Sequence, residues 1–269
     1  MNERHIIDSV YEREEIIKWI KNYFITNGNE NTKAVIGISG GKDSTIAAAL
    51  LVRALGADRV IGVLMPQGIQ KDISDSHCIC EALGIKTYEV NIEAACNAFY
   101  DSFCNSMDGT LNSQILTNVP ARARMITLYM VAAAVGGRVC NTGNASELYV
   151  GYTTKYGDLA GDFALFKNYF VRDVLAIGAS MPEIPSYLIY KKPGDGMCGE
   201  NDEDNLGFSY ETLDALCLDN CVPDYDIFRK IETRHKNNVH KKAIDLPAPR
   251  PRSRHKDGEE WHPEEEWYF

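Results

Sequence analysis

A short apolar run, Lys33-Ala34-Val35-Ile36, leads directly into Gly37-Ile38-Ser39-Gly40-Gly41-Lys42-Asp43-Ser44, and an Ala- and Leu-rich stretch follows to residue 52. The β-branched run reads as a buried parallel strand and the stretch beyond the loop as a helix. Strand, Gly-rich turn and helix in that order gather free backbone N–H groups around a helix N-terminus, where an anion is stabilised. Gly40 and Gly41 carry no Cβ, so the backbone can approach phosphate oxygens closely. Ser39 and Ser44 add hydroxyl donors.

The loop departs from a Walker A pattern, which needs Ser or Thr directly after Gly-Lys and a further Gly five residues before the second one. Asp43 follows Lys42 here, and Ile36 stands where the earlier Gly belongs. A carboxylate inside a phosphate cradle repels the ligand unless a divalent cation lies between them, and Mg²⁺ on pyrophosphate oxygens resolves the conflict. The form strand–S-G-G-x-D-S–helix resembles the pyrophosphate loop of enzymes that split ATP between its α and β phosphates.

The rest of the chain repeats the alternation. Ser9-Val10-Tyr11-Glu12 has the form of a capping box, and Ile16, Ile17, Ile20 and Phe24 give the following helix an apolar face. Residues 60–65 read as a second buried strand, 72–83 as a helix closed by Gly84, and 87–90 as a third strand. Asn118-Val119-Pro120 is expected to start a long Ala-rich helix that Gly136-Gly137 stops, with a strand at 138–141. Such alternation implies a parallel sheet with helices on both faces, whose ligands bind beyond the strand C-termini. The Gly-rich loop and the Thr142-Gly143-Asn144 turn both fall there. No internal repeat is evident.

Composition narrows the function classes. A formal charge of −10 over 269 residues argues against a broad nucleic-acid surface, though not against a local basic pocket for a phosphorylated ligand. No apolar run reaches the length of a membrane span, and Met1-Asn2-Glu3-Arg4-His5 lacks a signal core, so a cytoplasmic protein is expected. The 8 Cys form no Cys-x-x-Cys pair and read as core thiols. Basic residues cluster from His235 to Arg254, after which the chain turns acidic and aromatic. The expected organisation is a single domain over residues 1–247 and a tail over 248–269.

A second constellation follows the 138–141 strand: Thr142-Gly143-Asn144-Ala145-Ser146-Glu147, then Gly151-Tyr152-Thr153-Thr154-Lys155-Tyr156-Gly157-Asp158, then Asp162. A second carboxylate at the sheet edge of Asp43 would complete a Mg²⁺ site, and Glu147 is the best placed. T-G-N-x-S-E, G-Y-x-T-K-Y-G-D and the upstream T-N-V-P-A-R-x-R-M resemble the motifs of ammonia-dependent NAD synthetases, over about residues 35–247. The resemblance implies a Rossmann-like, three-layer, doubly wound parallel sheet of the adenine nucleotide alpha hydrolase-like kind. It also implies a homodimer that converts deamido-NAD to NAD with ATP and ammonia.

By the same resemblance, Gly37, Ile38, Ser39, Gly40, Gly41, Lys42, Asp43, Ser44 and Thr142 would contact ATP, and Asp43 with Glu147 would hold Mg²⁺. Arg122, Lys155, Asp162, His240 and Lys241 would hold deamido-NAD, whose pyrophosphate and carboxylate suit Arg and Lys donors. Asp43, Glu147, Lys155 and Asp162 are the candidate catalytic set, Asp162 as one candidate base for ammonium. Two positions depart from the family. Val171 stands where many members have an ATP-binding Lys, with Arg172 or Lys167 as candidate replacements, and Gly194 stands where a hydroxyl usually faces ATP. A tRNA-modifying enzyme with the same loop would need a basic RNA surface and reactive Cys pairs, which this chain lacks. A nucleotide sensor would have no use for Lys155 and Asp162.

Overall fold

The computed structural model describes residues 4–70, 73–107, 110–191, 202–243, 246–251 and 253–258. In chain order the elements are β1 (His5–Ile6), α1 (Ser9–Thr26), β2 (Lys33–Gly37), α2 (Lys42–Leu55), β3 (Val60–Leu64), α3 (Ile73–Leu83), β4 (Lys86–Glu89), α4 (Glu93–Ser106) and α5 (Ser113–Val135). They continue as β5 (Gly137–Asn141), α6 (Ala145–Val150), β6 (Phe163–Ala164), α7 (Val171–Ala179), α8 (Ser186–Ile189), α9 (Asp202–Leu206), α10 (Tyr210–Asp219), α11 (Tyr225–Asn237) and β7 (His255–Lys256). Short 3₁₀ turns span Ala57–Arg59 and Val239–Ala243.

Five strands form one parallel sheet in the order β4-β3-β2-β5-β6. Period-two alternation sends successive β2 side chains to opposite faces. Ala34 and Ile36 join a core with Ile16 and Ile20 of α1 and Ile46 and Leu50 of α2, whereas Val35 packs with Ala132 of α5 and with Val139. This is the expected three-layer architecture. The chain winds outward from β2 through β3 to β4, then returns to add β5 and β6 on the other side. The order therefore reverses between β2 and β5, and ligands of open α/β sheets bind at such a reversal.

Two local expectations are corrected. The N-cap of α1 is Asp8, whose carboxylate accepts the N–H groups of Val10 and Tyr11, so the Ser9–Glu12 capping box does not form. Glu12 turns inward instead and is fully buried. Helix α5 begins at Ser113 under an Asn112 cap, leaving Pro120 inside the helix rather than in its first turn. The missing proline N–H leaves the Leu116 carbonyl without its usual donor, and the Tyr100 hydroxyl of α4 donates to it at 3.4 Å.

The described part of the tail is fastened to the body. Just before it, the Pro247 carbonyl accepts Ala164 N–H; within it, the Pro249 carbonyl accepts from the Asn168 side chain, and β7 pairs antiparallel with β1. Buried Glu12 accepts from Ser253 N–H, the Ser253 hydroxyl and the Tyr169 hydroxyl, while Arg254 pairs with buried Asp173 at 2.6 Å. The tail's Trp261, Trp267 and Phe269 lie outside the described residues. No described helix is long and apolar enough to cross a membrane.

Candidate functional site

The loop after β2 and the turn after β5 face each other across the sheet reversal. Gly40 takes φ +75° and lets the first turn of α3 close on the loop: a Cβ there would meet Asp75 Cβ at 3.0 Å and Ser76 N at 3.1 Å. The hydroxyls of Ser39 and Ser44 lie 3.0 Å apart, and Ser39 Oγ accepts Gly41 N–H. Ile38 donates its N–H to Val63 and buries its side chain, so it shapes the loop without offering a donor. Past Gly41, the first turn of α2 leaves backbone N–H groups without intrahelical partners, the usual reason an anion seats at a helix N-terminus.

Charge is crowded just beside this turn. Lys42 is 5% exposed, and its Nζ lies 2.8 Å from Asp43 Oδ2. On the opposite side Asn144 caps α6, accepting Glu147 N–H at 3.0 Å while Glu147 Oε2 accepts Asn144 N–H, a complete capping box. The remaining Asn144 amide reaches across the reversal and donates to Asp43 Oδ1 at 3.3 Å. Asp43, Asn144 and Glu147 thus form one unit built from two loops. Burial, then the neighbouring Asp43 carboxylate, pushes the Glu147 carboxyl up to about 8, against the pull of Lys42 and the Asn144 N–H. Thr142, half-buried, follows β5 directly.

The predicted dinucleotide residues gather around the turn at residues 151–158. Arg122 on α5 points its guanidinium at the Lys155 carbonyl, Lys155 Nζ donates to the His240 carbonyl at 3.1 Å, and Lys241 Nζ donates to the carbonyls of Gly151 and Thr153, both at 2.7 Å. Gly151, at φ +65°, admits Asn238, whose Cβ would lie 2.1 Å from an added Cβ. The 3₁₀ turn carrying His240 and Lys241 can therefore press on this loop only where residue 151 lacks a side chain. Asp162 does not join either cluster through its hydrogen bonds. Its Oδ2 accepts Val139 N–H at 2.7 Å in the middle of β5, and its carbonyl accepts the Tyr23 hydroxyl.

The candidate replacements for the missing ATP-binding Lys are engaged elsewhere. Arg172 makes two bonds to Asp219, at 2.6 and 2.7 Å, and Lys167 Nζ donates to the Leu246 carbonyl. Gly194 lies outside the described residues. Other participants were not apparent in the sequence. Asn141 staples Asp158 and Ala160 to the end of β5, and Asp214 accepts both the Ser146 hydroxyl and Arg172 N–H, anchoring α6. Tyr210 is 2% exposed, with Lys42 Nζ 5.7 Å from its ring centroid. Asn144 was missed as well, and it alone carried a local signal, an Asn three residues before Glu147, the spacing of a capping pair.

A family model described as NAD synthase matches residues 12–249. The chain belongs to the NAD synthase family. It is 40% identical over 190 residues to the NH(3)-dependent NAD(+) synthetase of Pyrococcus furiosus, covering 70% of this chain and 72% of that one. The corresponding protein of Thermoplasma acidophilum is 35% identical over 88% of this chain and 97% of its own length. Among solved structures, an NMN synthetase from Francisella tularensis matches with a TM-score of 0.81 at 30% identity, covering 90% of this chain and 98% of that chain. An NH3-dependent NAD synthetase from Campylobacter jejuni matches with a TM-score of 0.70 at 26% identity, covering 89% and 98%.

Proposed function

We propose that the two clusters serve one reaction, the ATP-dependent amidation of deamido-NAD with ammonia to NAD, AMP and pyrophosphate. ATP phosphates lie on the Gly37–Ser44 loop, and the anionic groups of deamido-NAD meet Arg122, Lys155 and Lys241. The observation that carries this reading is the Asn144–Asp43 hydrogen bond, which ties the pyrophosphate loop to the T-G-N-x-S-E turn at the sheet reversal.

A nicotinate carboxylate is a poor electrophile because its leaving group would be oxide. In the proposed sequence its oxygen attacks the ATP α-phosphorus, the bond to pyrophosphate breaks, and an acyl-adenylate results. Ammonia then attacks the acyl carbon, the bond to AMP breaks, and the nitrogen sheds a proton to leave the amide. The chain contributes position and charge: α2 and the serine-lined loop receive the leaving pyrophosphate, and the basic turn holds the acid to be activated. Asp162, with its carboxylate on Val139, is assigned no proton step.

The donor set fits Mg²⁺. Asp43 and Glu147 are hard oxygen ligands held together by Asn144, and among the described residues no group of three acidic, His or Cys side chains could enclose a metal alone. Mg²⁺ is commonly held by one or two carboxylates plus substrate phosphates. When bound it would neutralise charge developing on the pyrophosphate.

A homodimer completes the reading. Ile126 and Met130 are exposed on α5, on the helix face that also carries Arg122, and Phe99 is exposed on neighbouring α4. Covering this apolar face would place the dinucleotide site close to the subunit boundary. Sedimentation should show a dimer at micromolar concentration; a fully active monomer would refute it.

Ammonia is the nitrogen source for this chain. Cys140 is buried, and burial pushes its thiol far above the ordinary range, so it is no glutamine-attacking nucleophile. Incubation with ATP, Mg²⁺, ammonium and deamido-NAD should yield NAD and pyrophosphate; absence of both overturns the assignment. Equal rates with ammonia-free glutamine would overturn the nitrogen source. The likeness to an NMN synthetase over 98% of that chain makes nicotinate mononucleotide the alternative acid in the same assay.

A further inference from the structure

Lys42 occupies a place that suits a bound cation better than a permanent side chain. It is the first residue of α2, where the partial positive charge of the helix end disfavours an ammonium. Adjacent side chains on a helix normally diverge, yet Lys42 folds onto its own neighbour Asp43 at 2.8 Å. The buried ammonium rests on Asp43, and the carboxylates of Glu147 and Asp202 lie close enough to act on it. The Tyr210 hydroxyl gives a second, independent sign of a ligand. It is buried with no hydrogen-bond partner, in the field of Glu147, Asp202 and Asp43, beneath the same ammonium. A buried hydroxyl left unpaired among carboxylates is costly, which argues for a second arrangement in which it is satisfied.

We propose that Lys42 is an internal placeholder for the divalent cation: its ammonium offsets the charge of Asp43 beside Glu147 in the nucleotide-free protein and is exchanged for Mg²⁺ when ATP arrives. The inference rests on the assignment of those two carboxylates to the metal. The exchange keeps the cluster near neutrality in both states, and it frees the lysine, on its flexible four-carbon stem, to turn toward the phosphates seated at the same helix end. Free metal is thereby kept off the site until nucleotide is present.

The test is Mn²⁺ binding to the nucleotide-free protein, read by electron paramagnetic resonance of the free ion. Lys42→Met keeps the length of the side chain and removes the competing charge. It should bind one Mn²⁺ at least about tenfold more tightly than the wild type, the scale expected for losing a like charge beside the ion. Its melting temperature without metal should fall, and Mn²⁺ should restore it. Affinity equal to or below that of the wild type, including no binding by either protein, overturns the placeholder. Lys42→Gln carries the same expectation should Lys42→Met not fold. The underlying metal assignment is tested separately: Lys42→Met/Asp43→Asn and Lys42→Met/Glu147→Gln should lose the gained site. If both doubles bind Mn²⁺ as tightly as Lys42→Met, the carboxylate assignment falls; if both bind it more weakly than Lys42→Met while Lys42→Met itself binds no more tightly than the wild type, only the placeholder falls.

Discussion

The phosphate-loop cluster and the 151–158 turn are joined at the end of β5 but hold their charges in opposite ways. In the first, Lys42, Asp43 and Glu147 neutralise or crowd one another in a buried setting, fixed by a helix cap and a cross-loop hydrogen bond. In the second, Arg122, Lys155 and Lys241 rest on backbone carbonyls. A neutral carbonyl attracts a cation less than a full negative charge does, so a carboxylate or phosphate arriving at this turn would displace it. On the proposed reading, one side is preorganised for charge that develops during the reaction and the other is parked, ready for charge that arrives with the substrate. Substitutions on the first should strike turnover, and on the second, substrate affinity.

The largest effect is expected at Asp43. Asp43→Ala should cut pyrophosphate release by on the order of a thousandfold or more while the far-ultraviolet spectrum stays native, since it removes an electrostatic element of the transition state. Glu147→Ala should follow it, with partial rescue by Mn²⁺. An Asp43→Ala enzyme retaining most of its rate in Mg²⁺ would erase the distinction between the sides.

The sequence showed the phosphate side far more clearly than its supports. Val35 and Ile36 declare a buried strand, and Gly40-Gly41 declare the turn, because both follow from local rules of burial and backbone sterics. Pro120 misled because a proline at a helix start and one whose lost bond is taken up by Tyr100 look alike until α4 is in place. Glu12 misled for the same kind of reason. Its spacing from Ser9 satisfies a local capping rule, but its partners, Ser253 and Tyr169, lie 241 and 157 residues away. Asp214 and Tyr210 carry no local signal at all, since each acts through contacts that only tertiary packing creates.

The Glu12 contacts give the next test. This carboxylate binds the tail to Tyr169, whose carbonyl accepts Ala145 N–H at the start of α6, so the clasp stands behind Glu147. Glu12→Ala strands buried donors on Ser253 and Tyr169 and should lower stability by about 3 kcal/mol in urea titrations. Arg122→Ala and Lys155→Ala, on the solvent side of the molecule, should stay within about 0.5 kcal/mol. A Glu12→Ala protein as stable as the wild type would show the clasp to be idle. The same Arg122→Ala and Lys155→Ala enzymes should raise KM for deamido-NAD by roughly tenfold to a hundredfold, the range for a lost charged contact to substrate. Their KM for ATP should hold. If KM for ATP rises as much, the two clusters are not separable.

The smallest effect is a slope. Asp214 is 1% exposed, and burial pushes its carboxyl up to about 6, against the Ser146 hydroxyl and Arg172 N–H that favour the ionised form. The unfolded chain ionises this group near its ordinary value of 3.8. Between those values the folded protein binds the proton more tightly, so this group's contribution to stability falls as pH rises through the window and is flat on either side. A shift of that size corresponds to on the order of 3 kcal/mol, or several degrees in a chain this long. Asp214→Asn removes the titration and loses one acceptor. Its melting temperature should start lower and fall less between about pH 4 and pH 6 than that of the wild type. Lys155→Ala should run parallel to the wild type over the same range, because the turn it belongs to holds its cation on a carbonyl. Parallel curves for Asp214→Asn and the wild type would mean that burial does not hold a proton on Asp214 in the folded state, and the contrast between a buried side that perturbs its ionisable groups and an open one would fail.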